Sequence, residues 1–452
     1  MSFEKEFVWG ASSSSYQIEG AVNTDGKGPS DWDVFTKRDG AVVGKDNGDV
    51  ACDHYHRYVE DVQLMKEIGL QAYRFSICWP RVLPEGIGRV NPKGLDFYSQ
   101  LVDELLAANI DPWITLFHWD YPYALEQQGG WQNPDSPKWF ADYTSVMVDA
   151  LSDRVSKWIT LNETQVFFGF GYNQTVFPPA LGLPWKQALP AMHNVLLAHG
   201  LSTQVIRSKA KTKPTIGVAP AVTRGCIPYG DSPEEKEFAR KWNFSEQKKD
   251  FFGTSIWSDP VFLGEYPKEM RADMEEAVPG YKKDMKIISE PLDFFAYNFY
   301  NAEKVHTEKD GSFSVGDYGT GWPRTQMEWP VTPEGLSYFS QIFYDRYKKP
   351  IVITESGMAC HDWVSEDGKV HDPQRIDYIS QYLKAYQKAN NAGVDMLGYF
   401  TWSIMDNFEW TFGYAKRFGM IHVDFETQKR TLKDSAYFYR DVIRSNGELC
   451  CS

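Results

Sequence analysis

Residues 348–357 read KKPIVITESG. After the proline, Ile351–Thr354 is an unbroken β-branched run of the kind found in strands covered on both faces. It ends on a carboxylate, Glu355, followed by two small residues, Ser356 and Gly357. A lone carboxylate is costly to bury, so its position here points to a surface, an ion pair or a functional site. Seven other segments have the same build: FVWGAS (7–12), AYRFSICW (72–79), PWITLFHW (112–119), KWITLNET (157–164), TIGVAPAV (215–222), DFFAYNFY (293–300) and MLGYFTWSIMD (396–406). Helical patterns lie between them. Asp53 is placed to cap a helix with Tyr55, Val59, Val62 and Met65 on its apolar face and Gly69 as its stop. The stretch ending at Asn109 carries Tyr98, Leu101, Val102, Leu105 and Leu106 on one face, and residues 136–152, 186–209, 333–346 and 373–391 behave alike. Buried strands alternating with helices imply a parallel sheet, because parallel neighbours need crossover connections. Eight such units close into a (β/α)8 TIM barrel of the α/β class. An open doubly wound sheet is the rival, disfavoured because no glycine-rich phosphate turn follows the first strand. The barrel is expected to occupy residues 1–447 as a single domain, with 448–452 a short C-terminal tail and with 223–292 and 301–331 as long βα-loop insertions.

A net charge of −14 over 452 residues argues against nucleic acid and against anionic membranes as partners. No apolar run reaches the length of a membrane span. Cysteines at 52, 78, 226, 360, 450 and 451 form no C-x-x-C pair and read as reduced thiols; the start, MSFEKEFVWG, has no basic-then-apolar secretory pattern, so a cytoplasmic location is expected. Glycosylation-type patterns at 162–164, 173–175 and 243–245 are read as coincidental. Of the 69 aromatic residues, most belong to the core, and a minority are available to line a site for a ligand with apolar faces, such as a sugar ring. No Walker A, G-x-S-x-G or H-E-x-x-H pattern occurs, and the adjacent histidines of HYH (54–56) do not share a helix face. No metal and no cofactor is expected.

In a barrel of this kind the C-terminal strand ends converge on one mouth. Taken in order they supply Gln17 (in the loop after the first strand), Arg74, His118 with Trp119, Asn162 with Glu163, Tyr300, Glu355 and Trp402. Few of these fill apolar layers. Glu163 and Glu355 end strands four and seven, across the barrel from each other. Facing carboxylates repel, so one pKa rises unless a cation intervenes; Arg74 is such a cation, favouring ionised Glu355 and leaving Glu163 protonated near neutral pH. An acid and a nucleophile (or base) drawn from one residue type suit glycosidic bond cleavage. The alternative is a structural ion pair bridged by Arg74. Retention and inversion stay open here, since they differ in carboxyl separation, about 5–5.5 Å against about 6.5–9.5 Å.

The blocks FVWGASSSSYQIEGA, YRFSICWPRVLP, TLFHWDYPYAL, TLNET, ITESG, WSIMDNFEW and RFGMIHVDFETQKRT occur in this order over nearly the whole chain. Together they resemble glycoside hydrolase family 1, of β-glucosidase type. The resemblance implies Glu163 as general acid/base, Glu355 as nucleophile of a retaining reaction, and Arg74, Tyr300 and Asn298 as support for the nucleophile. It implies Asn162 at the sugar 2-hydroxyl, Gln17, His118, Trp119, Glu409 and Trp410 around the remaining hydroxyls, Trp402 beneath the ring, and Phe418 and Trp329 on the cavity wall. Thr164 and Ser356 depart from the Pro and Asn usual in the family, which bears on fine positioning. Relatives acting on 6-phosphosugars lack the acid at Glu409, and thioglucosidase relatives carry Gln at the acid position, so unphosphorylated O-glycosides are the implied substrates. The expected activity is release of glucose from β-glucosides and cello-oligosaccharides by double displacement, with galactosides and fucosides as side substrates. A broad β-galactosidase or β-fucosidase and a non-catalytic glycan-binding barrel are the alternatives. The expected partner is a small β-glucoside or oligosaccharide; assembly into a homo-oligomer is left open.

Overall fold

Each of the eight apolar runs forms a strand: β1 (Val8–Ser12), β2 (Ala72–Ser76), β3 (Asp111–Phe117), β4 (Lys157–Asn162), β5 (Thr215–Ala219), β6 (Phe295–Asn298), β7 (Ile351–Ser356) and β8 (Met396–Trp402). This computed structural model describes residues 3–244 and 249–451, the side chain of Cys451 excepted. Met1, Ser2, residues 245–248 and Ser452 lie outside the described residues, and with them the ends of the expected domain and tail and Ser245 of the third glycosylation-type pattern. The strands pair in parallel in the order β5-β4-β3-β2-β1-β8-β7-β6. A parallel bridge from Ala221 to Asn298, with Asn298 N–H donating to Pro220 O at 2.9 Å, joins the ends of β5 and β6. The architecture is the (β/α)8 barrel read from the sequence. Its interior is packed by Trp113, Ile159, Phe294, Val352 and Phe400. Gly10 makes room for one of these rings, since a Cβ there would lie 2.4 Å from Phe400.

The expected helices appear as His54–Ile68, Pro92–Ala107, Ser136–Leu151, Trp185–Lys209, Glu334–Tyr347 and Pro373–Asn391. Three details differ from the sequence reading. Asp53 precedes its helix but does not cap it; its carboxylate accepts instead from His56 Nδ1 (2.6 Å) and Arg57 Nε (3.2 Å). Val59 is 46% exposed, because the buried stripe of that helix runs through His54, Asp61, Met65 and Ile68. The polar members of that stripe are paired: His54 Nδ1 lies 2.7 Å from Asp61, which also accepts from Arg430 Nε at 2.9 Å. Leu106 likewise turns outward and is 38% exposed.

The two insertions meet. Strand Cys226–Ile227 of the first pairs in parallel with Glu303–Thr307 of the second, which pairs in turn with Phe313–Gly316 to make a separate small sheet beside the barrel mouth. Residues 448–451 form a last helical turn with Cys450 buried. Among the described residues, no helix is long and apolar enough to cross a membrane.

Candidate active site

Strict alternation along β7 would aim Glu355 at the surrounding helices, because Val352 fills the barrel and Thr354 donates its hydroxyl to Asn298 Oδ1 at 2.7 Å. The pairing shifts between Ile353 and Glu355 against β6, and between Ile353 and Ser356 against β8. Such an irregularity re-aims one side chain, and it turns Glu355 into the mouth. The strand β4 uses the same device. Its register against β5 shifts between Ile159 and Asn162, Thr160 reaches outward to His199 at 2.6 Å, and Asn162 faces inward. Glu163 follows with φ 48°, a left-handed backbone that costs on the order of 1–3 kcal/mol outside glycine. Gly357 closes the opening motif for a different reason: a Cβ there would fall 1.8 Å from the carbonyl oxygen of Trp402. The ends of β7 and β8 approach too closely for any side chain.

Glu163 and Glu355 line one cavity of about 530 Å³, together with His118, Trp119, Tyr300, Trp329, Trp402, Glu409, Trp410 and Phe418. The other residues expected in the site, Gln17, Arg74, Asn162 and Asn298, are fully buried and hydrogen-bond to residues of this wall. Arg74 donates Nη1 to Glu355 Oε1 (2.6 Å), Nη2 to Asn162 Oδ1 (2.5 Å) and Nε to Thr115 Oγ1 (3.0 Å). Tyr300 Oη donates to Glu355 Oε2 at 2.8 Å, so both carboxylate oxygens of Glu355 are held. Glu163 Oε1 accepts from Asn298 Nδ2 at 2.9 Å, and the same amide donates to Asn162 Oδ1 at 3.0 Å. Gln17 gives its amide to Phe408 O (2.9 Å), Asn407 Oδ1 (3.1 Å) and Glu409 Oε2 (3.4 Å), which orients Glu409 from beneath.

The two carboxyls are electrostatically unequal. Burial first, then repulsion from Glu355, pushes Glu163 up to about 8, against weaker opposition from Asn298 and Arg74. Burial raises Glu355 too, but the Arg74 guanidinium and the Tyr300 hydroxyl oppose it directly. With a cation and a phenol on one carboxylate and a single amide on the other, the first proton leaves Glu355. Glu409 is also pushed up to about 8, by burial and then by Glu355. Burial and Arg74 hold His118 neutral. Its Nε2 accepts from Asn162 Nδ2 at 3.0 Å, so its proton sits on Nδ1, a buried donor on the cavity wall with no partner among the described residues. Indoles surround these polar groups. Trp119 and Trp410 pack at 4.4 Å between ring centroids, Trp119 Nε1 donates to Asn162 O at 3.0 Å, and Trp402 lies nearly parallel to His118 at 5.9 Å. An acid, an ionised carboxylate, polar donors and flat apolar walls in one cavity suit acid-assisted displacement at a sugar carbon.

The structure shows where the departures from the family pattern sit. Thr164 is buried and its hydroxyl contacts Gln165 at 3.3 Å, while Ser356 is fully buried. Sequence reasoning missed the outer cavity wall, which includes Phe170, Phe177, Thr223, Arg224, Phe252 and Met327. Arg224 has φ 51°, stacks 4.5 Å above Phe252 and pairs with Asp250 at 3.2 Å. Thr223 and Arg224 follow β5 closely, at the barrel end where folds of this type place their sites.

The family model described as glycosyl hydrolase family 1 matches residues 1–448. Beta-glucosidase A of Thermotoga maritima is 42% identical over 447 residues, 98% of each chain. Beta-glucosidase A of Acetivibrio thermocellus is 41% identical over 461 residues, 99% of each chain. The solved structure of the Thermotoga maritima beta-glucosidase in complex with glucoimidazole superposes with a TM-score of 0.90 at 41% identity, covering 99% of both chains.

Proposed function

The chain belongs to glycosyl hydrolase family 1, and from that premise we propose that it is a retaining exo-β-glucosidase acting on β-glucosides and cello-oligosaccharides. The reading is carried by one observation, the unequal protonation of two facing carboxyls in a single cavity. Glu355, ionised and held at both oxygens, attacks the anomeric carbon. Glu163 gives its proton to the departing glycosidic oxygen, and a glycosyl ester forms on Glu355. Ester formation removes the charge on Glu355, and with it the repulsion that adds to burial in holding the proton on Glu163. Glu163 then serves as base toward a water molecule, whose attack releases the sugar with its original anomeric configuration. His118, Glu409 and Trp410 are assigned to the sugar hydroxyls, Trp402 to the ring, Asn162 to the 2-hydroxyl, and Trp329 and Phe418 to the outer wall.

As a hydrolase of this family the chain is an enzyme, which removes the glycan-binding barrel from consideration. The buried thiols of Cys52, Cys78 and Cys360, none of them in a disulfide, support the cytoplasmic location read from the sequence. The test is Glu355→Ala with a chromogenic β-glucoside. Turnover should vanish, and added azide should restore part of it as a glycosyl azide of inverted configuration. Undiminished hydrolysis by the variant would remove Glu355 from the nucleophile role.

A further inference from the structure

Tyr300 lies beyond the last residue of β6, so no ladder hydrogen bond fixes its carbonyl. Two phenols do so instead. Tyr378 and Tyr382, one turn apart on the helix Pro373–Asn391, stack at 3.7 Å between ring centroids and both donate to the main-chain oxygen of Tyr300, at 3.1 and 2.8 Å. Both rings are buried. A carbonyl oxygen has two lone pairs, and this one spends both on the pair. Tyr382 Oη also accepts from Thr332 N at 3.0 Å, and Thr332 Oγ1 accepts from Ala302 N at 2.9 Å, so the same helix ties the segment 300–302 to the segment that carries Trp329. On its other side Tyr300 presents its hydroxyl to Glu355 Oε2 at 2.8 Å.

We propose that Tyr378 and Tyr382 are positioning residues for the nucleophile: through the carbonyl of Tyr300 they set its hydroxyl against Glu355. The proposal rests on Glu355 being that nucleophile. A surface helix thereby bears on the chemistry without touching substrate. The spacing i, i+4 is what lets two side chains of one helix meet a single acceptor.

The test compares Tyr378→Phe/Tyr382→Phe with Tyr300→Phe and with the triple variant, each measured for kcat/KM against pH and for thermal unfolding. Loss of two buried hydrogen bonds should lower kcat/KM by about tenfold in the double variant. Its acidic limb should move to higher pH, in the direction that Tyr300→Phe moves it, because a less well held carboxylate keeps its proton longer. In the Tyr300→Phe background the same two changes should alter kcat/KM less than about twofold, since no hydroxyl is left to position. An acidic limb that stays in place while only the unfolding temperature falls would overturn the proposal, as would an undiminished effect in the Tyr300→Phe background. If the double variant does not fold, Tyr378→Phe alone takes its place: with one of the two donors gone and Tyr382 still pairing Thr332 N–H, the acidic limb should move less far in the same direction, and a limb that stays in place overturns the proposal. Failure of the premise looks different: Glu355→Ala would then stay active, whatever the tyrosine variants do.

Discussion

Replacing Glu163 by glutamine separates its proton from its shape. The amide oxygen can still accept from Asn298 Nδ2, now 2.9 Å from Glu163 Oε1, so the side chain should keep its place. Burial and the charge of Glu355 push Glu163 up to about 8, so it carries its proton at pH 6, and the variant removes that donor. General acid catalysis is worth about 10²–10⁴-fold, so kcat/KM for cellobiose or an alkyl glucoside should fall by that amount. A dinitrophenyl glucoside, whose leaving group departs without a proton, should lose less than about tenfold in kcat/KM, because only its second step needs the base. Its glycosyl ester should therefore accumulate as a burst, and azide, which needs no base, should restore turnover with retained configuration. The basic limb of the wild-type profile, set by loss of the Glu163 proton, should disappear. Glu409 shares the pKa of about 8, so Glu409→Gln is the control: it should weaken binding and leave the leaving-group dependence intact. Equal losses on both substrates, or a basic limb that vanishes in Glu409→Gln and persists in Glu163→Gln, would refute the assignment of the acid.

Two further outcomes follow from the geometry. Glu163, Glu409 and Asp120 are pushed up to about 8 and Glu126 to about 7, so the folded chain holds protons that the unfolded chain releases near pH 4–4.5. Their stabilising contribution is complete below that ordinary range and is lost as pH rises through 7–8, so the unfolding temperature should decline from about pH 5 to pH 9, and Glu163→Gln should flatten part of the slope; a flat curve in the wild type would count against the buried acids being protonated. Gly357→Ala should lower stability by about 1–3 kcal/mol in urea unfolding and depress kcat, because the new methyl would be driven against the carbonyl of Trp402, and an alanine variant of unchanged stability would contradict that close approach.

The strand Ile351–Ser356, its seven companions and the helices between them were readable because apolar periodicity is a property of near neighbours along the chain. The identities of Glu163 and Glu355 and their place at strand ends were legible for the same reason. Three kinds of feature were not. The outward face of Val59 was not legible because the stripe beneath its helix is held by His54, Asp61 and Arg430, polar residues whose burial depends on partners distant in sequence. The outer wall at Arg224 and Phe252 and the small sheet joining the two insertions arise from pairings between loops. The register shifts that turn Glu355 and Asn162 inward are defined only against the neighbouring strands.

The sequence by itself determined an eight-unit barrel with two carboxylates at its mouth, since alternation and residue type are local properties. It also named Arg74 as the cation that would favour ionised Glu355; only the tertiary structure decided that Arg74 and the Tyr300 hydroxyl both reach that carboxylate, while Glu163 receives the Asn298 amide. Proton affinity depends on burial and on charges through space, and Arg74 and Tyr300 reach Glu355 from β2 and from the loop after β6.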